Sequence, residues 1–218
     1  MVFSPLYLRR LQEATEKCEA DAAYLFPKSK FEIRNIRADL DNGRGICIVD
    51  FKPKDYQIDE DICSDTCDMI WSSEYNRELY EEQTGEPFDY DKCVEGCKRE
   101  LDVASWGSVE FYLDNHELKE ATMNLWCGDV EDITYMIYEP DETPYWQYTE
   151  EEWEEIKARW RPLIDECDVD IGSLHVHHFV PGVPHDPLSY HDDPPVVCYV
   201  HPRKCKVDRA LQLVYGDR

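Results

Sequence analysis

Two pairs of cysteines, Cys63/Cys67 and Cys93/Cys97, and a run of histidines from His175 to His201 are the residues of this chain best suited to chemistry. Each C-x-x-x-C pair lies in a stretch that reads as helix, and residues i and i+4 share one helical face. Laid antiparallel, two such helices bring four sulfurs to one seam. Thiols so placed can form disulfides, bind zinc as four thiolates, or pack as small buried apolar groups. Two disulfides would each close a loop and add about 3 kcal/mol by restricting the unfolded chain. Cys18, Cys47, Cys127, Cys167, Cys198 and Cys205 allow three further bridges, whose connectivity the spacing does not supply.

Six of the seven histidines lie from His175 onward, with five prolines between Pro181 and Pro195. On a strand His175 and His177 point to the same face, an arrangement that suits two metal ligands. Downstream, Cys198, His201 and Cys205 form C-x-x-H-x-x-x-C. Zinc is therefore the candidate cofactor, with His175, His177, Cys198, His201 and Cys205 as candidate ligands. The competing readings are structural histidines and a pH-sensitive contact that titrates at about pH 6–6.5.

The cysteine spacing resembles the twin C-x-x-x-C helical hairpins of the small translocase chaperones of the mitochondrial intermembrane space. The resemblance covers about a fifth of the chain, Asp59 to Leu101, and implies outer-with-outer and inner-with-inner pairing, Cys63–Cys97 and Cys67–Cys93. It implies the staple alone, since the segment between the pairs, Asp68 to Lys92, is longer than such hairpins hold. The segment His177-His178-Phe179-Val180-Pro181 resembles the opening strand of HNH nucleases, and Val196 to His201 resembles their closing segment. That resemblance implies His177 and His201 as metal ligands and His178 as general base. The chain departs from that pattern at Asp192-Asp193, where the family has Asn, and lacks its second Cys before the final His.

Composition limits the partners. The chain has 48 Asp+Glu against 23 Lys+Arg, a formal charge of -25. That excess repels phosphate backbones and disfavours nucleic acid and anionic membranes as partners. It suits a basic protein partner, a divalent cation, or mimicry of nucleic acid. At 42% hydrophobic and 12% aromatic residues, the 218-residue chain can build a core. No apolar run approaches a membrane span, and the N-terminus reads as an amphipathic helix, not a signal peptide. Ten cysteines nonetheless favour an oxidising compartment over the cytosol, whether secreted, mitochondrial intermembrane or virion.

The elements that must position these residues follow in order. Ser4-Pro5 opens a helix to about Tyr24. A hairpin of Lys28–Leu40 and Gly45–Phe51 turns at Asp41-Asn42-Gly43. The cysteine segment reads as two helices that turn at Gly85-Glu86-Pro87. Val109, Phe111 and Leu113 alternate as a strand, and Thr122–Cys127 with Ile133–Tyr138 predict a second hairpin across Gly128-Asp129. Glu139 to Tyr148 reads as an exposed loop. Thr149 and Glu152 form a capping box, and Trp153, Ile156, Trp160, Leu163, Ile164 and Cys167 form the apolar stripe of a helix that Pro162 would bend. Leu174–Val180 and Val196–His201 predict short strands, and Val207–Tyr215 a closing helix.

The fold class expected is α+β: antiparallel hairpins packed with an N-terminal helix, the cysteine-stapled helical hairpin and the helix near 149–166. Residues 1–138 and 149–218 form the two expected parts, packed as one unit. The function expected is a non-enzymatic, cysteine-stabilised structural or interaction protein, a subunit of a larger assembly. Tyr145-Trp146-Gln147-Tyr148, Trp153 and Trp160 would supply contact area. The alternatives are the His178-centred nuclease and an acidic nucleic-acid mimic.

Overall fold

The helix Pro5–Leu25 (α1) begins where Ser4 caps it, its side chain accepting from the Tyr7 N–H at 3.2 Å. Pro5, which has no N–H to leave unpaired, takes the first helical position. The structure, a computed structural model, describes residues 4–56, 61–174 and 197–216. It groups the chain into two compact units: Met1–Tyr56 with Trp106–Gly172 and Tyr199–Arg218, and Gln57–Ser105 with Ser173–Cys198.

The first unit is built on a sheet of strands Phe31–Asp41 (β1), Arg44–Pro53 (β2), Gly107–Tyr112 (β3), Leu118–Leu125 (β4), Val169–Leu174 (β5) and Val197–Pro202 (β6). The strands lie side by side in the order β1-β2-β3-β4-β6-β5 and the sheet is antiparallel. The first hairpin turns where expected. Asn42 and Gly43 have φ of 51° and 82°, the two left-handed residues that a tight twisted hairpin requires. Register then sets the faces: Val49 faces Val109, which faces Ala121, and Cys47 faces Phe111. These residues are buried, so one sheet face is core. α1 packs on β1 and β2, and turns Ala14, Cys18, Ala22 and Leu25 inward. The Cys18–Cys47 disulfide joins it to the sheet.

The other helices of this unit are Cys127–Tyr138 (α5), Glu150–Cys167 (α6) and Val207–Tyr215 (α7). Here one expectation is overturned. Ile133–Tyr138 is not the second arm of a hairpin but the end of α5, and β4 pairs back onto β3. The burial of Val130, Ile133 and Met136 explains it: a spacing of three is helical. A short run rich in Ile, Thr and Tyr carries the composition of a strand and the period of a helix. α6 starts at the expected capping box, with Thr149 and Glu152 bonded in both directions. Pro162 lies inside it without ending it. β5 begins earlier than expected, at Val169, and its predicted continuation past Leu174 lies outside the described residues.

The second unit contains Asp61–Ser72 (α2), Glu74–Thr84 (α3) and Tyr90–Ala104 (α4). Two helices were expected and three are present. The extra break is local: Ser73 is a cap whose side chain accepts from the Asn76 N–H at 3.2 Å. The turn at Gly85 is where the sequence puts it, with a left-handed φ of 72° that ends α3. α2 and α4 pack on one another. The fold is α+β, with an antiparallel six-stranded sheet and seven helices among the described residues.

Candidate functional site

The four hairpin cysteines meet as two disulfides, Cys63–Cys97 and Cys67–Cys93, with Cα atoms 5.6 and 6.1 Å apart. Helical spacing produces this. Each pair lies on one face of its helix, so two packed helices bring both sulfur pairs together. Cys67 and Cys93 are buried with Ile70, and Tyr80, Phe88, Tyr90 and Val94 pack against them. Cys167–Cys205 ties the end of α6 to the segment before α7. Cys127 and Cys198 are disulfide-bonded as well, and no cysteine is free. Five disulfides make this a cysteine-stabilised protein of a kind compatible with an oxidising compartment.

The zinc ligand set expected in the tail does not survive this. Cys205 and Cys198 are both oxidised, and a disulfide sulfur lacks the thiolate charge that binds zinc. His201 lies on β6 with Nδ1 2.9 Å from the Ala121 carbonyl oxygen and 3.2 Å from the Thr122 hydroxyl. The carbonyl can only accept, so Nδ1 carries the proton and the ring is held as a cross-strand partner. His175, His177 and His178 lie outside the described residues. Among the described residues no group of three or more His, Cys, Asp or Glu is placed to hold a metal ion. No described helix is long and apolar enough to cross a membrane.

The feature most suited to recognition is aromatic. α5 and α6 pack together, and the loop from Glu139 to Tyr148 connects them. Trp153, at 1% exposure, is the anchor. Tyr148 stacks on it at 5.9 Å, Tyr135 meets it edge-on at 5.6 Å, and Trp146 meets Tyr135 edge-on at 5.7 Å. The outermost rings, Tyr145 and Trp146, are 73% and 74% exposed. Trp146 thus rests edge-on against the half-buried Tyr135, which itself packs on the buried Trp153, and Tyr145 precedes it in the loop. Trp153 and Trp160, expected to share in contact area, are buried and belong to the core instead.

Between Lys119 and Lys157 the sequence has no Lys, Arg or His, while Glu139, Asp141 and Glu142 are exposed beside Tyr145. Beneath lies Asp132, 8% exposed. Burial raises its carboxyl above the ordinary range, a hydrogen bond from Tyr148 opposes this, and Asp129 and Glu131 add to the rise. Tyr148 is pushed up to about 12, first by burial and then by that bond, so its phenol keeps its proton. Arg159 reaches Asp129 at 3.4 Å and covers the Trp160 ring at 4.1 Å.

Asp132 and Tyr135 were not singled out by the sequence. The spacing of three between Asp132 and Tyr135 was the available signal, since on a helix it puts them on one side, where Tyr135 meets Trp153 of α6. The chain matches no family model, no curated protein and no solved structure.

Proposed function

We propose that this is a non-enzymatic interaction protein, a disulfide-braced subunit that docks a basic segment of a partner protein on the Tyr145/Trp146 platform. One observation carries the reading: Tyr145 and Trp146 are about three-quarters exposed, Trp146 rests through Tyr135 on the buried Trp153, and the stretch between Lys119 and Lys157 is acidic with no Lys, Arg or His. Exposed tryptophan and tyrosine are favoured anchors, and their faces attract guanidinium and ammonium groups. Carboxylates at the rim would steer a cationic partner and weaken with salt. The five disulfides suit an assembly outside the reducing cytosol, on a secreted particle, in the intermembrane space or in a virion.

The test is a titration of the oxidised protein with Arg/Lys-rich peptides and with neutral peptides of equal length, followed by tryptophan fluorescence. Basic peptides should bind at least tenfold tighter, with binding that falls as salt rises. Trp146→Ala with Tyr145→Ala should remove that preference. Equal binding of neutral peptides, or unchanged binding by the double variant, overturns the reading. So does plasmid nicking with magnesium or zinc that is lost in His178→Ala.

A further inference from the structure

At the end of the sheet where β1 begins and β2 ends, two lysines stand opposite one another. The Lys54 N–H donates to the Lys30 carbonyl oxygen at 2.9 Å, which continues the ladder beyond the Phe31–Pro53 pair. Residues opposite in an antiparallel pair project to the same side, so the two lysine side chains leave the backbone on one side. Like charges there cost stability unless something between them is negative. Some lysines of this acidic chain pair with carboxylates: Lys92 with Glu86, Lys119 with Glu110 and Asp41, and Lys204 with Asp168. Among the described residues neither Lys30 nor Lys54 has an ion-pair partner.

Both lysines line a hollow of about 200 Å³, with Ser29 and Asp55 at its rim and Phe31, Pro53 and Tyr215 as walls. A second hollow of about 280 Å³ shares Lys30, Phe31 and Tyr215 and continues past Leu25, Pro27 and Leu211, with Asp208 and the exposed Tyr24 on its border. The floor is rigid: Tyr215 meets Phe31 at 5.6 Å and Phe51 at 5.9 Å, both edge-on. The Tyr215 hydroxyl is buried beside the Asn124 backbone. Two lysines and one aspartate line the smaller hollow, and apolar residues line the larger one that shares Lys30 with it.

We propose that this hollow binds a small aryl or alkyl phosphate monoester, its dianion between Lys30 and Lys54 and its apolar body along Phe31 and Tyr215 into the larger hollow. Lysine acts on phosphate as a mobile point charge, and two of them match a dianion better than a single carboxylate charge. The Ser29 hydroxyl is within the same hollow as a further donor. The volumes suit a ligand of a few to about twenty heavy atoms, in the lower range of small-molecule pockets.

The experiment is a calorimetric or NMR titration of the intact oxidised protein with phenyl phosphate, inorganic phosphate, benzoate and benzyl alcohol. Phenyl phosphate should bind about tenfold tighter than the other three, because only it offers both a dianion and a ring. Lys30→Ala with Lys54→Ala should weaken it at least tenfold, while Lys157→Ala leaves it unchanged. Four results would overturn the proposal: inorganic phosphate or benzoate binding as tightly, binding undiminished in the lysine double variant, no saturable binding at millimolar concentration, or lysine variants that lose stability but not affinity.

Discussion

The first unit keeps its interior with apolar side chains; the second keeps it with sulfur. In the first, Phe26, Phe51, Phe111, Met123, Ile133, Trp153, Trp160 and Leu163 are fully buried, and the Cys18–Cys47 and Cys167–Cys205 bridges are added to a core that large rings already fill. In the second, α2 buries Cys63, Thr66, Cys67 and Ile70, α4 buries Cys93, Cys97 and Leu101, and α3 has no buried side chain among its described residues. Three short helices with so few large apolar groups cannot offset the entropy of ordering them. Covalent closure lowers the entropy of the unfolded chain instead. The same element therefore supplements one unit and constitutes the other.

The sharpest way to break this contrast is to remove both hairpin staples. Serine at Cys63, Cys67, Cys93 and Cys97 should unfold residues 61–104, since each closure is worth about 3–4 kcal/mol. Hydrogen exchange should show protection lost there and retained across β2 and β3; retained protection in the helices would mean that apolar packing alone suffices. Trp160→Ala should cost the first unit about 3–5 kcal/mol through the cavity it leaves, read by denaturant melts. Loss of Cys18–Cys47 by paired alanine substitution should cost about 2–3 kcal/mol and leave that unit folded, which separates a supplementary bridge from an essential one. If circular dichroism shows the sheet lost as well, the contrast fails.

Smaller effects sharpen it at α6. Thr149→Ala, which removes the hydroxyl half of the capping box and keeps the backbone N–H bond to Glu152, should cost about 1 kcal/mol. Asp132 gives the smallest effect, and one that depends on pH. Its folded-state pKa is raised from 3.8, first by burial, so the folded protein holds this proton to higher pH than the unfolded chain. The group is therefore least costly when protonated, and stability declines as pH rises from about 3.8 through the raised value, then levels off. Asp132→Asn should melt higher than the parent above that window and converge with it below. A difference in melting temperature that does not change with pH would discount the buried charge.

Local chemistry is what the sequence determined. Ser4-Pro5, Asn42-Gly43, Gly85 and the Thr149/Glu152 box each act within a few residues, so their helix starts, turn and helix stop were legible without neighbours. The i, i+4 spacing that aligns Cys63 with Cys67 and Cys93 with Cys97 is equally local. Tertiary structure decided the rest. Cys18 meets Cys47 and Cys167 meets Cys205 only because helix and sheet bring Cα atoms to 5.1 and 4.7 Å across 29 and 38 residues. Cys205, spaced like a zinc ligand near His201, is spent on Cys167, and the His201 ring turns to the Ala121 carbonyl. The run from Ile133 to Tyr138 became helix because Ile133 and Met136 bury on one side. Spacing along a chain states which contacts are reachable; only the packed fold determines which of them form, because burial and disulfide geometry depend on distances between elements far apart in sequence.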